Sequence, residues 1–285
     1  MSGKKLTSFW MVIALLLAIS ATVQAAVPET VPVADPGNKS DATGYGGVAH
    51  VYKIGKYEVT NAEYCEFLNA VAKSDTRDLY DPRMADEYGG IDRGGNAGSF
   101  TYTVKSGMSK KPVGYVTFES CLRYINWLTN GPSSTETEKG TYDLKSGTIK
   151  LPNHGELAKG ETVTWVMPTE NEWYKAAYYD PKKSGGAGYW QYPGKGYTAP
   201  AANINSNTPT DGGSNTAALT AYGTYDQGGN QWEYNESRFD DKVGLRGGSW
   251  YINDNEGYMD AFTRYDVYSA KWPHYGFRVA ALGGK

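Results

Sequence analysis

After Asp180 the chain shows no further helical period. Everything beyond that point reads as loops and short strands rich in Gly, Asn and Tyr, while the helical patterns are all confined to the earlier part. This asymmetry restricts the fold most, because helices set early before irregular β structure suit one α+β domain rather than a parallel doubly wound sheet. The 35 glycines, 24 tyrosines and 8 tryptophans suit irregular segments pinned by tight turns and aromatic packing. The expected fold is therefore α+β, a compact, loop-rich single domain with a few short helices in its N-terminal half.

The helical patterns carry their own start signals. "TNAEYCEFLNAVA" opens with Thr60 and Glu63, the spacing of a capping box, and predicts a helix to about Ala72. The preceding "HVYKIGKYEVT" reads as a strand, and so does "SFTYTV". "KPVGYVTFESCLRYINWLTNG" predicts a strand, a Thr117 cap and a second helix ended by Asn130-Gly131. "GTYDLKSGTIKLP" reads as a hairpin-like zone. "MPTENEWYKAAYYD" holds another capping box, Thr169 and Glu172, before a stripe of Trp173, Ala176 and Ala177. Glu170 and Glu172 are read as a helix start with no evident partner, not as a catalytic pair.

Residues 1–25 have the layout of a signal peptide: Lys4 and Lys5, an apolar run from Phe9 to Ile19, and small residues leading to Ala25. An uncleaved anchor is the alternative, although the run is short for spanning a bilayer. Residues 26–47, rich in Pro, Gly and Asp, read as a flexible lead-in, and 48–283 as the folded domain. The expected location is exported (periplasm, cell surface or secreted), with no membrane attachment after signal cleavage. A net charge of -3 with no basic block argues against nucleic-acid binding. The two cysteines, Cys65 and Cys121, lie on the apolar sides of helical patterns, which leaves a disulfide and two buried thiols equally open.

Six segments, "YEVTNAEYCEFLNAV", "KPVGYVTFESCLRYINWL", "MPTENEWYKAA", "YDQGGNQWEY", "LRGGSW" and "YGFRVA", occur in the order found in the formylglycine-generating enzymes, or sulfatase-modifying factors. The chain resembles that family over about residues 50–280. The resemblance implies a fold related to C-type lectins. In the enzymes, two cysteines just after the "RGGSW"-like turn bind copper and support oxidation of a substrate cysteine to formylglycine. Those two places fall here at Ile252 and Gly257, which cannot ligate a metal, so no copper is expected. The related iron-dependent sulfoxide synthases rely on clustered histidines. His50, His154 and His274 show no ligand spacing here and are read as surface or packing residues, so no iron is expected.

The resemblance also implies structural calcium. A first set comprises the carboxylates of Asp226 and Glu233 with the carbonyls of Gly229 and Gln231; a second comprises Asn203, the carbonyl of Ile204, Asp211 and the carbonyl of Gly213. The bland alternative for the first is that Asp226 caps a turn and Glu233 pairs with a basic residue. Arg246 and Arg278 are read as structural partners. The substrate groove of the enzymes maps onto Trp232, Ser249, Tyr251, Tyr258, Trp272 and Tyr275, with Ser249 presented by the glycine turn. The expected role is recognition of a peptide or glycan by a calcium-stabilised domain that does not make formylglycine. The alternative is an oxidoreductase acting on a sulfur-containing substrate with non-cysteine metal ligands; a structural envelope protein is a third reading. Oligomeric state is not legible.

Overall fold

The computed structural model describes residues 27–251 and 254–284. The signal-peptide reading and Ile252 lie outside the described residues. The helices α1 (Asn61–Val71), α2 (Phe118–Asn130), α3 (His154–Leu157) and α4 (Glu170–Tyr178) all precede Asp180. Both expected capping boxes form. The Thr60 side chain accepts from the Glu63 N–H and Thr169 accepts from the Glu172 N–H, while each glutamate reaches back to its cap. Thr117 caps α2, and Gly131 ends it at φ 88.

One four-stranded sheet is antiparallel throughout and runs β1 (Thr30–Val33), β2 (Tyr52–Gly55), β12 (Ala280–Leu282), β5 (Thr164–Val166). It joins the two ends of the domain. A second runs β10 (Tyr265–Tyr268), β9 (Lys242–Arg246), β8 (Trp232–Phe239), β11 (Tyr275–Phe277), with β8 and β11 parallel. Two small pairs complete the set: β3 (Ile91–Gly94) with β4 (Thr101–Val104), and β6 (Tyr179–Asp180) with β7 (Gly188–Tyr189). The main core lies between α1, α2 and the second sheet. There Tyr64, Phe67, Tyr124, Trp127 and Phe277 pack at centroid distances of 5.3–6.0 Å, mostly edge-to-face or tilted, with Tyr64 and Tyr124 stacked. Such geometry sets positive ring edges against negative faces and adds to the burial of large apolar area.

Three expectations change. Residues 27–47 are ordered, not a flexible lead-in: β1 pairs with β2 from Thr30↔Gly55 to Val33↔Tyr52. Pro32 is tolerated because β1 is an edge strand of its sheet. Downstream, Asp35 accepts from the Tyr179 hydroxyl, and Asp41 accepts from the Tyr174 hydroxyl at 2.6 Å. The zone 140–152 is not a hairpin. Its apolar residues Leu144, Ile149 and Leu151 pack against the main core, and Asn126 holds Tyr142 through both its amide N–H and its carbonyl oxygen. "KPVGYV" is no strand either, making one bridge, Thr60↔Pro112. Cys65 and Cys121 are free buried thiols, so the disulfide is absent and burial pushes both thiol pKa values up.

Candidate functional site

Strand β9 ends at Arg246, and Gly247 and Gly248 follow at φ 107 and 73. A Cβ on Gly248 would sit 3.0 Å from Ile204 Cδ1 and from Tyr258 Cβ, so the turn needs glycine for space as well as for its backbone angle. The expectation that this turn presents Ser249 is overturned. Ser249 and Trp250 are buried, and the Ser249 hydroxyl and N–H both donate to Asp254 Oδ2, at 2.6 and 2.8 Å. An inward-facing serine bonded to a carboxylate stabilises the turn instead of offering a reactive group. Gly257, the second place where the enzymes carry a sulfur, lies exposed in a short 3-10 turn.

The remaining groove residues do gather. Trp232 is buried and meets Tyr258 at 5.5 Å and Tyr265 at 5.2 Å. Tyr251, Trp272 and Tyr275 collect around His274, with Tyr251 stacked on the imidazole at 4.3 Å. The two groups are joined by the backbone, since the Trp232 N–H donates to the His274 carbonyl at 3.0 Å. Burial lowers the His274 pKa to about 4, so the ring is neutral near pH 7. His274, expected to be a surface or packing residue, is the hub of this cluster. Trp272 is 50% exposed, and the neighbouring edge strand β10 shows Tyr265 and Tyr268 at 43% and 62%.

The first calcium set does not fit the cation. Both Glu233 oxygens face Arg278 at 2.6 Å, and Trp173 Nε1–H also donates to Glu233 at 2.7 Å. Arg278 is itself fully buried and donates to the carbonyls of Gly55 and Tyr225. A guanidinium thus supplies the positive charge that calcium would bring, as in the bland reading of Glu233. Asp226 accepts from the Gly213 N–H at 2.6 Å, and the Gly229 carbonyl accepts from the Gln231 N–H. Glu58, not singled out from the sequence, lies in the same region: its Oε1 accepts from Asn230 and its buried Oε2 has no partner. Burial, then the Asp226 charge, push Glu58 well above the carboxylate range; burial pushes Asp226 to about 6.

The second set occupies a loop packed on the first. The Asn203 carbonyl accepts from the Asn230 N–H at 2.7 Å, and Gly213 is the residue that donates to Asp226. Asn203 lines an open cavity of about 430 Å³ with Thr210 and Ser214, and Asp211 is exposed nearby in sequence. Among the described residues no arginine or lysine ion pair falls on Asp211, unlike Glu233, while Asn203 Oδ1 accepts from the Ser206 hydroxyl.

The α4 glutamates, read as lacking partners, have several. Glu170 receives Arg246 and Arg264, each through Nε–H at 2.8 Å, and the Arg246 guanidinium also lies over the Tyr45 and Tyr174 rings at 4.7 and 4.9 Å. Glu172 receives His50 Nε2 at 2.7 Å and His154 Nδ1 at 2.9 Å. Because these partners come from distant segments, spacing along the chain carries no trace of them.

Residues 45–282 match the sequence profile of the sulfatase-modifying factor enzyme 1-like domain. Among solved structures, "Crystal Structure of CarF" is similar at a TM-score of 0.56 and 18% identity, covering 90% of this chain and 98% of that one. PvdO from Pseudomonas aeruginosa is similar at 0.50 and 19%, covering 90% and 92%. Treponema denticola variable protein 1 is similar at 0.47 and 17%, covering 88% and 94%. No curated protein matches the chain. At such identities the structural likeness speaks to the fold alone, and it agrees with the profile match, which spans most of the chain: this protein belongs to the sulfatase-modifying factor enzyme 1-like, or formylglycine-generating-enzyme-type, domain family.

Proposed function

We propose that this domain recognises a peptide or glycan with its aromatic face and does not make formylglycine. The observation that carries the reading is the contrast between sulfur and aromatic placement. The chain's only two cysteines are buried in α1 and α2, while Trp272 and Tyr265 stand exposed near the turn after β9, to which the cysteines of the enzymes are expected to map. Flat rings with one open face stack on sugar rings or on an extended peptide at small entropy cost. Screening the purified protein against panels of oligosaccharides and extended peptides tests this. Trp272→Ala should weaken the best ligand by at least about 10-fold, the scale of a central aromatic anchor, without altering the melting temperature of a half-exposed position. Equal affinity in the variant, or no ligand in either panel, overturns the reading.

We further propose that the domain works after export behind the segment 1–25, and that calcium stabilises it through Asn203, the carbonyl of Ile204, Asp211 and the carbonyl of Gly213. The support for calcium is the loop's oxygen-only donor set and its position against the buried carboxylates Asp226 and Glu58. A ligand that binds only the folded state adds stability by mass action. Chelation should therefore lower the melting temperature by about 5 °C, corresponding to roughly 2 kcal/mol for a domain of this size, and added calcium should restore it. An unchanged melting curve removes calcium from the account.

A further inference from the structure

Among the described residues, one group of three histidine or acidic side chains brings its donor atoms within 4.8 Å of one another, namely His50, His154 and Glu172. They come from the bend before β2, the first turn of α3 and the third position of α4. We propose that His50 Nε2, His154 Nδ1 and the Glu172 carboxylate form a site for one divalent metal ion of the zinc class, with a fourth position open to solvent.

Two imidazoles and one carboxylate are a donor set for borderline transition metals rather than for calcium or magnesium. All three donors lie within 4.8 Å of one another, His50 at 2.7 Å and His154 at 2.9 Å from Glu172 oxygens, whereas donors around a tetrahedral zinc stand about 3.3 Å apart. Each imidazole–carboxylate distance must open by roughly half an ångström, and His50, on a bend with its side chain 17% exposed, has room to move. Glu172 is fixed independently, because the Thr169 N–H donates to its Oε2 at 2.8 Å as part of the capping box.

The surroundings of His154 strengthen the assignment. Its far nitrogen, Nε2, lies 3.1 Å from Glu236 Oε2, inside ion-pair range though not aligned as a hydrogen bond. Glu236 is buried and accepts from the Tyr142 hydroxyl at 2.6 Å; that hydroxyl in turn accepts from the Met167 N–H. A carboxylate on the outer nitrogen of a ligating histidine sets the tautomer and turns the inner lone pair toward the metal. Charge agrees as well. Among the described residues the ion-pair partners of the buried carboxylates Glu172 and Glu236 are imidazoles, not lysine or arginine, so a divalent ion would take the place of imidazole protons and release them on binding. His50 also lines a cavity of about 430 Å³ with Ala49, Pro36, Gly155, Glu156 and Lys159, which gives the ion an entry path and a place for a water or small ligand. Loading would tie the segment before β2 to the helical layer. This proposal is independent of the aromatic face and of calcium.

The test uses the purified full chain stripped with a chelator. Titration with zinc alone should show one equivalent bound with micromolar or tighter affinity, and cobalt alone should give the visible absorption of a four-coordinate ion. Zinc should also shift the His154 Nδ1 resonance of the unmutated protein, a readout that does not depend on any variant folding. His50→Ala should weaken zinc by at least about 100-fold, and Glu236→Gln by about 10- to 100-fold. Absence of stoichiometric zinc, an unmoved His154 resonance, or full affinity in His50→Ala would each overturn the site.

Discussion

Replacing Arg278 by Met should lower the stability of this domain by about 3–5 kcal/mol and its melting temperature by about 10 °C. The cause is not the loss of a favourable pair in itself. Arg278 and Glu233 are both fully buried, so removing the guanidinium leaves a carboxylate in a dry interior with Trp173 as its one remaining side-chain donor. The carbonyls of Gly55 and Tyr225 also lose their Arg278 donors, and they tie the first sheet to the loop before β8. If stranded charge dominates, Glu233→Gln in the same chain should recover at least half of the loss, since a neutral amide can still accept from Trp173. Denaturant unfolding of the wild type, the two single variants and the double variant measures this. A double variant no more stable than Arg278→Met would show that lost packing and carbonyl pairing, not charge, set the effect.

Glu170→Gln should cost about 3 kcal/mol for the mirror-image reason. Glu170 is the carboxylate between two guanidiniums, and Arg246 among them is wholly buried. The amide keeps the shape of the side chain but withdraws the charge. Arg264 retains Asp266, at 2.8 Å, whereas Arg246 keeps only the carbonyls of Ala261 and Thr263 and the faces of two tyrosines. The damage should therefore concentrate around Arg246, at the end of β9, and reach the turn that follows. Urea unfolding checks the magnitude, and hydrogen exchange at Leu245 and Gly247 checks the location. A loss below about 1 kcal/mol would mean that the ring faces and carbonyls suffice for Arg246.

What could be read from the sequence divides along a physical line. The capping boxes of α1 and α4 and the end of α2 at Gly131 are local devices, written within four residues of where they act, and all three form. Strand β1 was missed because its proline signals a loop by composition, and only the edge position that tolerates it makes the strand possible. The zone 140–152 misled in the opposite way. Its alternation serves to place Leu144, Ile149 and Leu151 on the core without any strand pairing. The partners of Glu170 and Glu172 were invisible, since Arg246, Arg264, His50 and His154 approach them from 18 to more than 120 residues away. For the groove, the aromatic residues named from the sequence do gather, but Ser249 faces inward and His274, around which three of them collect, was not singled out.

The same line separates the two calcium sets. A carboxylate four residues from two glycines looks like a cation loop in the sequence, but the tertiary fold decides which cation it meets. At Glu233 it is Arg278, which directly follows β11, the strand paired with β8. The family's fold is retained here, and Gly257, one of the two places to which the resemblance carries the cysteines of the enzymes, lies in an exposed turn.

The most direct measurement is mass spectrometry of a cysteine-containing sulfatase peptide incubated with this protein, oxygen, a thiol reductant and copper, alongside an active formylglycine-generating enzyme. Unchanged peptide with this protein, and conversion by the control, is the outcome expected of a domain whose two thiols are sealed inside helices. Turnover of the cysteine to an aldehyde by this chain would contradict the account at its root.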